Sequence, residues 1–245
     1  MNEATARALA AINRDFYRDH AAEFSAARTA PWLGWERLLP TLRAVPGPAP
    51  IRILDVGCGH GRFASYLARE LAPRALAICG VDASEPLLEQ ARRAGLPDAR
   101  WLAADFAADP AALPAERFDL VALFAVIHSV PGRERRRALI AACAARLAPG
   151  GRLVFTTWRR GERERVVDWN SYSSRARMPI DCSQLEPGDH LVPWGTGDDV
   201  VRYFHFFDES ELANATGGLP LVLEQRYRAD GRTGDLNEYF VFRAR

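Results

Sequence analysis

Three aspartates hold the first clue to chemistry in this chain. Asp55, Asp82 and Asp105 each stand at the end of a short apolar run, and Asp55 opens the loop of ILDVGCGHG (53–61), which carries Gly57, Gly59 and Gly61. Glycines beyond a strand let the backbone approach a ligand closely and adopt angles other residues avoid. A carboxylate after the second run is placed to accept hydrogen bonds from both hydroxyls of a ribose. One after the third run is placed to accept from an adenine amino group. A nicotinamide fingerprint would have glycine or alanine where Arg62 stands, and no GxxxxGK[ST] phosphate loop occurs. The pattern therefore points to a nucleoside and away from nucleotide phosphates. Each aspartate alone reads as an ordinary turn residue; the three in series favour the ligand.

The elements around them must place these residues together. IRILDV (51–56), ALAICGVD (75–82), ARWLAA (99–104), FDLVALF (118–124) and GRLVFTTW (151–158) read as strands, with helices at 61–71, 84–94 and 132–147. Runs that are apolar throughout suit parallel strands buried on both faces. Their alternation with helices predicts an α/β, doubly wound, mostly parallel seven-stranded sheet. Residues 202–207, a helix opened by Asp208 with Glu211 three residues on, and strands near 220–227 and 237–243 follow. The last two, joined through ADGRTGD (229–235), predict an antiparallel C-terminal hairpin. Residues 3–44 read as two helices split near Ala30-Pro31. The expected organisation is one domain over 1–245, with a helical cap at 1–45 and an inserted, substrate-facing segment at 159–200.

Composition narrows the setting. At 245 residues the chain can bury a proper core, and no apolar run approaches the roughly 20 residues that cross a bilayer. Four widely spaced cysteines form no CxxC pair, so the expectation is free thiols, no metal site and a cytoplasmic location. The chain has no lysine. Between Pro131 and Ile180 twelve arginines face four acids, which predicts either a phosphate-binding face or a set of solvated helix positions.

ILDVGCGHG, FDLVALFAVIH (118–128) and LAPGGRLVFTTW (147–158) resemble the motifs of the class I S-adenosylmethionine-dependent methyltransferases, over about residues 50–160. The resemblance implies a cofactor pocket built from Asp55, Gly57, Cys58, Gly59, Gly61, Asp82, Ala83, Asp105, Phe106 and Phe124. In it, Gly57 and Gly59 flank the methionyl part, Asp82 takes the ribose, Asp105 and Phe106 take the adenine, and Phe124 lines the place where the methyl group emerges.

Further segments resemble one narrower family, the tRNA wobble-uridine methyltransferases that esterify 5-carboxymethyluridine. These are FSAARTAPW (24–32), AVIHS (125–129), HLVPW (190–194) and RYFHFFDESEL (202–212), with Ser129 in place of a second histidine and a short linker between Trp194 and Arg202. That resemblance implies a tRNA acceptor, a carboxylate already ionised at neutral pH, and a small zinc-binding activator subunit as partner. Arg28 and Arg202 would orient the carboxylate, with His128 and His205 donating hydrogen bonds. Trp32, Trp194 and Tyr203 would stack on a splayed-out base. Against this stand a small-molecule methyltransferase, since the fold hosts many acceptors, and a non-catalytic scaffold, which has no need of the intact aspartate and glycine series. Each of these side chains alone also reads as packing.

Overall fold

The computed structural model describes residues 1–158, 165–173 and 180–245. Nine strands occur among them: β1 (Ile51–Val56), β2 (Leu76–Asp82), β3 (Ala99–Ala103), β4 (Phe118–Leu123), β5 (Leu147–Trp158), β6 (Asp189–Pro193), β7 (Val201–His205), β8 (Leu221–Ala229) and β9 (Asn237–Ala244). Seven form one sheet in the order β3-β2-β1-β4-β5-β9-β8, while β6 and β7 pair separately. The first five strands run parallel, and β9 and β8 are antiparallel, as the sequence predicts.

The continuous apolar runs are explained by two cores, one on each face. Leu54, Val56, Val121, Leu153 and Phe155 face one core. Ile51, Ile53, Leu120, Ala122 and Val154 face the other. Helices α4 (Arg62–Glu70), α5 (Glu85–Arg93) and α6 (Arg133–Ala144) connect the strands close to their expected bounds. α8 (Glu209–Thr216) opens with the predicted capping box, Asp208 accepting from the Glu211 N–H at 2.9 Å while Glu211 accepts from the Asp208 N–H.

The N-terminal region departs from the two helices expected. The chain forms α1 (Glu3–Asp19), α2 (Ala21–Ala26), a 3-10 helix over Leu33–Leu38 and α3 (Leu39–Arg43). Its first break is at His20, whose backbone leaves helical angles while its N–H closes α1 on the Phe16 carbonyl. The 159–200 segment contributes α7 (Trp169–Ser173), a 3-10 turn at Cys182–Gln184 and β6, with residues 159–164 and 174–179 outside the described set.

The sheet order reverses direction between β1 and β4, where ligands bind in open α/β sheets. Register places Asp55 opposite Gly80 and Ala122, so the ends of β1, β2 and β4 come together at one edge. Gly57 sits there at φ +73°, and an added Cβ would lie 2.2 Å from the Val126 side chain, so only glycine fits between the two strand ends.

Candidate active site

A cavity of about 550 Å³ opens at that edge. Its walls come from the tips of β1, β2, β4 and β5, one face of α1, the segment from Phe24 to Trp35, and β7. The cavity has two chemically distinct ends.

One end is acidic. Asp82 accepts the Gly59 N–H and the Ser84 N–H, each at 2.8 Å, one on each carboxylate oxygen. This pins the glycine loop to the tip of β2 and leaves further lone pairs for a ligand's hydroxyls. Asp55 is buried, and its Oδ2 meets no hydrogen-bond partner. Burial, then the neighbouring Asp82, pushes its carboxyl up to about 7. Asp105 accepts the Ala108 N–H at 3.1 Å and faces Arg14 of α1 at 3.5 Å. An added Cβ at Gly59 would meet nothing within 4 Å, so the loop leaves open space. A buried acceptor without a donor and a carboxylate with spare lone pairs fit a ligand carrying a cation and a diol.

The other end is basic and aromatic. The Arg202 guanidinium lies 4.8 to 5.8 Å from the rings of Phe16, Trp158, Trp194 and Phe204. Arg28 stands 4.0 Å over Phe24 and 5.1 Å over Trp194, so Trp194 contacts both arginines. Burial, then repulsion from Arg202, brings Arg28 down to about 10. His128 is buried, and the backbone N–H of Trp158 donates to its Nδ1 at 3.2 Å. Burial, then the charges of Arg202 and His205, holds His128 down at about 3. The ring is therefore neutral at physiological pH and carries its proton on Nε2. Phe124 packs on Phe63 at 4.7 Å and lies near Trp35 and Trp32, closing the wall between the two ends. Ala125 beside it holds φ +56°, a strained value for alanine, with its N–H donated to Thr156 Oγ1 at 2.8 Å.

Of the expected residues, Asp55, Gly57, Cys58, Gly59, Asp82, Ala83, Asp105, Phe106, Phe124, Arg28, Trp32, His128 and Arg202 line this one cavity. Gly61 does not. It starts α4 at φ +77°, and its close neighbour is the Trp101 ring, 2.8 Å from an added Cβ.

Two expectations on β7 require correction. Alternation along a strand sends Arg202 and Phe204 to the cavity and Tyr203 and His205 to the opposite face. Tyr203 is buried and donates its hydroxyl to Asp189 at 2.6 Å. His205 is buried with Nδ1 2.8 Å from Asp189 and Nε2 3.1 Å from Glu211. Neither side chain lines the cavity, so the stacking expected of Tyr203 and the acceptor contact expected of His205 do not follow from where the structure places them. Trp194, half-buried, does not line the cavity either and packs against Phe16, Phe24 and the two arginines. Among the described residues of 159–200, none lines the cavity.

The arginine-rich stretch is engaged with the chain itself. Arg135 pairs with Glu3 at 2.6 Å, Arg136 with Glu186, Arg152 with Glu224 at 3.1 Å and Arg165 with Asp198, while Arg137 and Arg146 cap backbone carbonyls. Arg133 stays exposed, 3.9 Å from Glu211, and Arg159, Arg160, Arg163, Arg175 and Arg177 lie outside the described residues.

Sequence reasoning missed Asn13, Arg14 and Tyr17, which line the cavity from α1. Their spacing with Ala10 (i, i+3, i+4, i+7) marks one helix face. Asn13 locks that face in place, donating to the Tyr203 carbonyl at 3.0 Å and accepting the Tyr203 N–H at 2.9 Å. Ser84 Oγ donates to the Tyr17 carbonyl at 3.0 Å, tying α1 to the tip of β2. Trp35, Trp158 and Phe204 were missed as well.

Comparison with known proteins agrees with this geometry. A family profile described as a methyltransferase domain matches residues 28–216. A ubiquinone biosynthesis O-methyltransferase of Coxiella burnetii is 32% identical over 175 residues, 69% of this chain and 64% of that protein. The match thus spans less than two thirds of that relative's length. Among solved structures, 1,6-didemethyltoxoflavin-N1-methyltransferase of Burkholderia thailandensis, with bound S-adenosylhomocysteine, has a TM-score of 0.65 at 18% identity, covering 100% of this chain and 92% of that one. Magnesium protoporphyrin IX methyltransferase of Synechocystis has a TM-score of 0.64 at 14% identity, covering 96% and 99%. At these identities the structural likeness concerns the fold. Among the described residues no helix is long and apolar enough to cross a membrane. With the profile covering most of the chain, and the strand-tip aspartates and glycine loop in one cavity, the chain belongs to the class I S-adenosyl-L-methionine-dependent methyltransferases.

Proposed function

We propose that the chain transfers the methyl group of S-adenosyl-L-methionine to a small-molecule acceptor bound at the basic, aromatic end of the cavity. The observation that carries this reading is the continuity of the two ends within one space of about 550 Å³. That is the size of an ordinary small-ligand pocket, roughly 300–1,000 Å³. The acidic end suits the cofactor. Asp82 would take the ribose hydroxyls, Asp105 and Phe106 the adenine, and Gly57, Cys58 and Gly59 the methionyl chain, with Ala83 alongside. Asp55 would accept from the ammonium group, which relieves its buried, donorless oxygen.

The sulfonium of the bound cofactor supplies an already activated methyl group. The chain's own residues align the acceptor and exclude water. Phe124, Trp32 and Trp35 wall the place where the two ligands meet, and Arg28, His128 and Arg202 would face the acceptor. Relatives named for ubiquinone biosynthesis, a toxoflavin precursor and magnesium protoporphyrin support a small acceptor.

A second reading keeps a tRNA wobble uridine as acceptor, with a zinc-binding activator subunit as partner. It draws support from the convergence of Arg28, Trp32, His128 and Arg202 in the cavity. It loses support from the arginines of 131–180 that are bound within the chain. The test is incubation with methyl-labelled cofactor and, separately, total tRNA and a small-metabolite extract. Label in the metabolite fraction is the expected outcome. Label in tRNA, with binding that weakens steeply as salt is added, would favour the second reading instead.

A further inference from the structure

Three non-glycine residues among those described hold a positive φ: Asp98, Ala125 and Asp230. Aspartate tolerates the left-handed region because its short polar side chain bonds locally, and alanine has no such compensation. Ala125, at φ +56°, is therefore held there by its surroundings. It lies in the turn after β4, at the cavity wall, and both its neighbours press on parts of the site. Phe124, before it, packs on Phe63 at 4.7 Å and on Trp35 at 5.6 Å. Val126, after it, fills the space over Gly57, where an added Cβ would lie 2.2 Å from its side chain. The turn thus wedges between the glycine loop and the aromatic wall.

β5 supplies the restraint. Thr156 is fully buried, and its Oγ1 accepts the Ala125 N–H at 2.8 Å. Two residues on, the Trp158 N–H donates to His128 Nδ1 at 3.2 Å, which ties the following 3-10 turn (Ile127–Ser129) to the same strand. The Ser129 N–H closes that turn on the Val126 carbonyl at 2.8 Å. These later bonds fix the chain after Val126, whereas the Thr156 hydroxyl acts on the strained residue itself. Thr156 does not line the cavity, so its hydroxyl acts on a bound ligand through this turn.

We propose that Thr156 is a positioning residue. Its hydroxyl holds Ala125 in the left-handed form, and the turn so held keeps Val126 seated on the cofactor loop and Phe124 in the wall that faces the acceptor. Without that hydroxyl the alanine relaxes towards ordinary angles, and the two flanking side chains leave their seats together. The inference goes beyond the proposed reaction, because it concerns the spacing of the two ends whatever the acceptor is.

The test is a double-mutant cycle on the full chain, read by calorimetry of S-adenosylhomocysteine. Thr156→Val keeps the branched shape and removes the accepting oxygen. It should weaken binding about tenfold, a difference of about 1.4 kcal/mol. Thr156→Ser, which retains the hydroxyl, should lie within about twofold of the parent. Glycine adopts positive φ without a steric cost. In an Ala125→Gly background, Thr156→Val should therefore weaken binding by less than about threefold. Thr156→Ala runs the same cycle if Thr156→Val does not fold. A bond that only satisfied a buried amide would show its full loss in both backgrounds, and that equality would overturn the inference. Near-parental affinity in Thr156→Val, or a Thr156→Ser variant as weak as Thr156→Val, would overturn it as well.

Discussion

The two ends of the cavity are built in opposite ways. The acidic end is assembled from the tips of three parallel strands, each contributing residues within a few positions of its own carboxyl end: Asp55 to Gly59, Asp82 to Ser84, Asp105 and Phe106. The basic end is gathered from α1, the Phe24–Trp35 segment, the turn after β4, the end of β5 and β7, which lie far apart in the chain. A site made by strand tips inherits its geometry from the sheet, because parallel pairing fixes where each tip falls. A site made by capping segments depends on side-chain networks that hold those segments in place. Asn13 clamps α1 to β7, and Asp230, at the end of β8, accepts the Gly34 N–H at 3.0 Å and the Tyr239 hydroxyl at 2.6 Å, fixing the turn that carries Trp32 and Trp35.

The largest way to break this contrast is at Asp82. Asp82→Ala removes two backbone anchors of the glycine loop together with the proposed ribose contact. It should weaken S-adenosylhomocysteine by about a hundredfold, at roughly 1.5–3 kcal/mol for each bond to a charged group. Calorimetry reads this directly. Near-normal affinity would remove the ribose assignment.

Two glycines separate packing from binding within the same loop. Gly57→Ala drives a Cβ to 2.2 Å from Val126 at φ +73°, so it should cost about 2–4 kcal/mol in urea denaturation from overlap and backbone strain together. Gly59→Ala meets no atom within 4 Å and bears only the strain of φ +54°. Its expected stability loss is about 1–2 kcal/mol, with the larger consequence in cofactor affinity. Equal stability losses would show that the crevice between β1 and β4 is softer than its packing implies.

This asymmetry also explains what the sequence reveals. Apolar runs ending in Asp55, Asp82 and Asp105 are local signals, so the succession of strands along the chain and the acidic end are legible in the sequence, while the order of strands across the sheet is not. Arg28, Trp32, His128 and Arg202 do converge, yet it was their family resemblance, not their spacing, that brought them together on paper. Tyr203 and His205 were misplaced because a motif match ignores that neighbours on a strand face opposite ways. The face of α1 was readable from its helical spacing, but nothing local tells that α1 covers this cavity. That depends on the distant Asn13 bonds to Tyr203.

Protonation gives the two ends opposite pH signatures. Asp55 holds its proton up to about 7 in the folded chain against an ordinary 3.8. Its contribution is therefore fully present below about 3.8 and lost as pH rises through 7. His128 is held down at about 3 against 6.5, so its contribution is present above 6.5 and lost as pH falls toward 3. Urea midpoints of the cofactor-free protein from pH 4 to 8 should thus respond in contrary senses. Asp55→Asn should gain stability relative to the parent as pH rises, and His128→Gln should gain it as pH falls. Parallel profiles for both variants would show that one of these groups is not buried in the protonation state assigned to it.

The smallest expected effect lies behind the cavity, on the other face of β7. Tyr203→Phe removes one donor from Asp189, which keeps His205 at 2.8 Å and the Glu186 N–H at 2.8 Å. The phenyl ring still fills the small core formed by Leu9, Leu191 and Val201. The loss should be about 1 kcal/mol by urea denaturation. S-adenosylhomocysteine affinity should stay as in the parent, because neither ring face nor hydroxyl of Tyr203 borders the cavity. A changed affinity at unchanged stability would mean that the hydroxyl acts on the cavity through Arg202, its neighbour on the strand, and that the two faces of β7 are coupled.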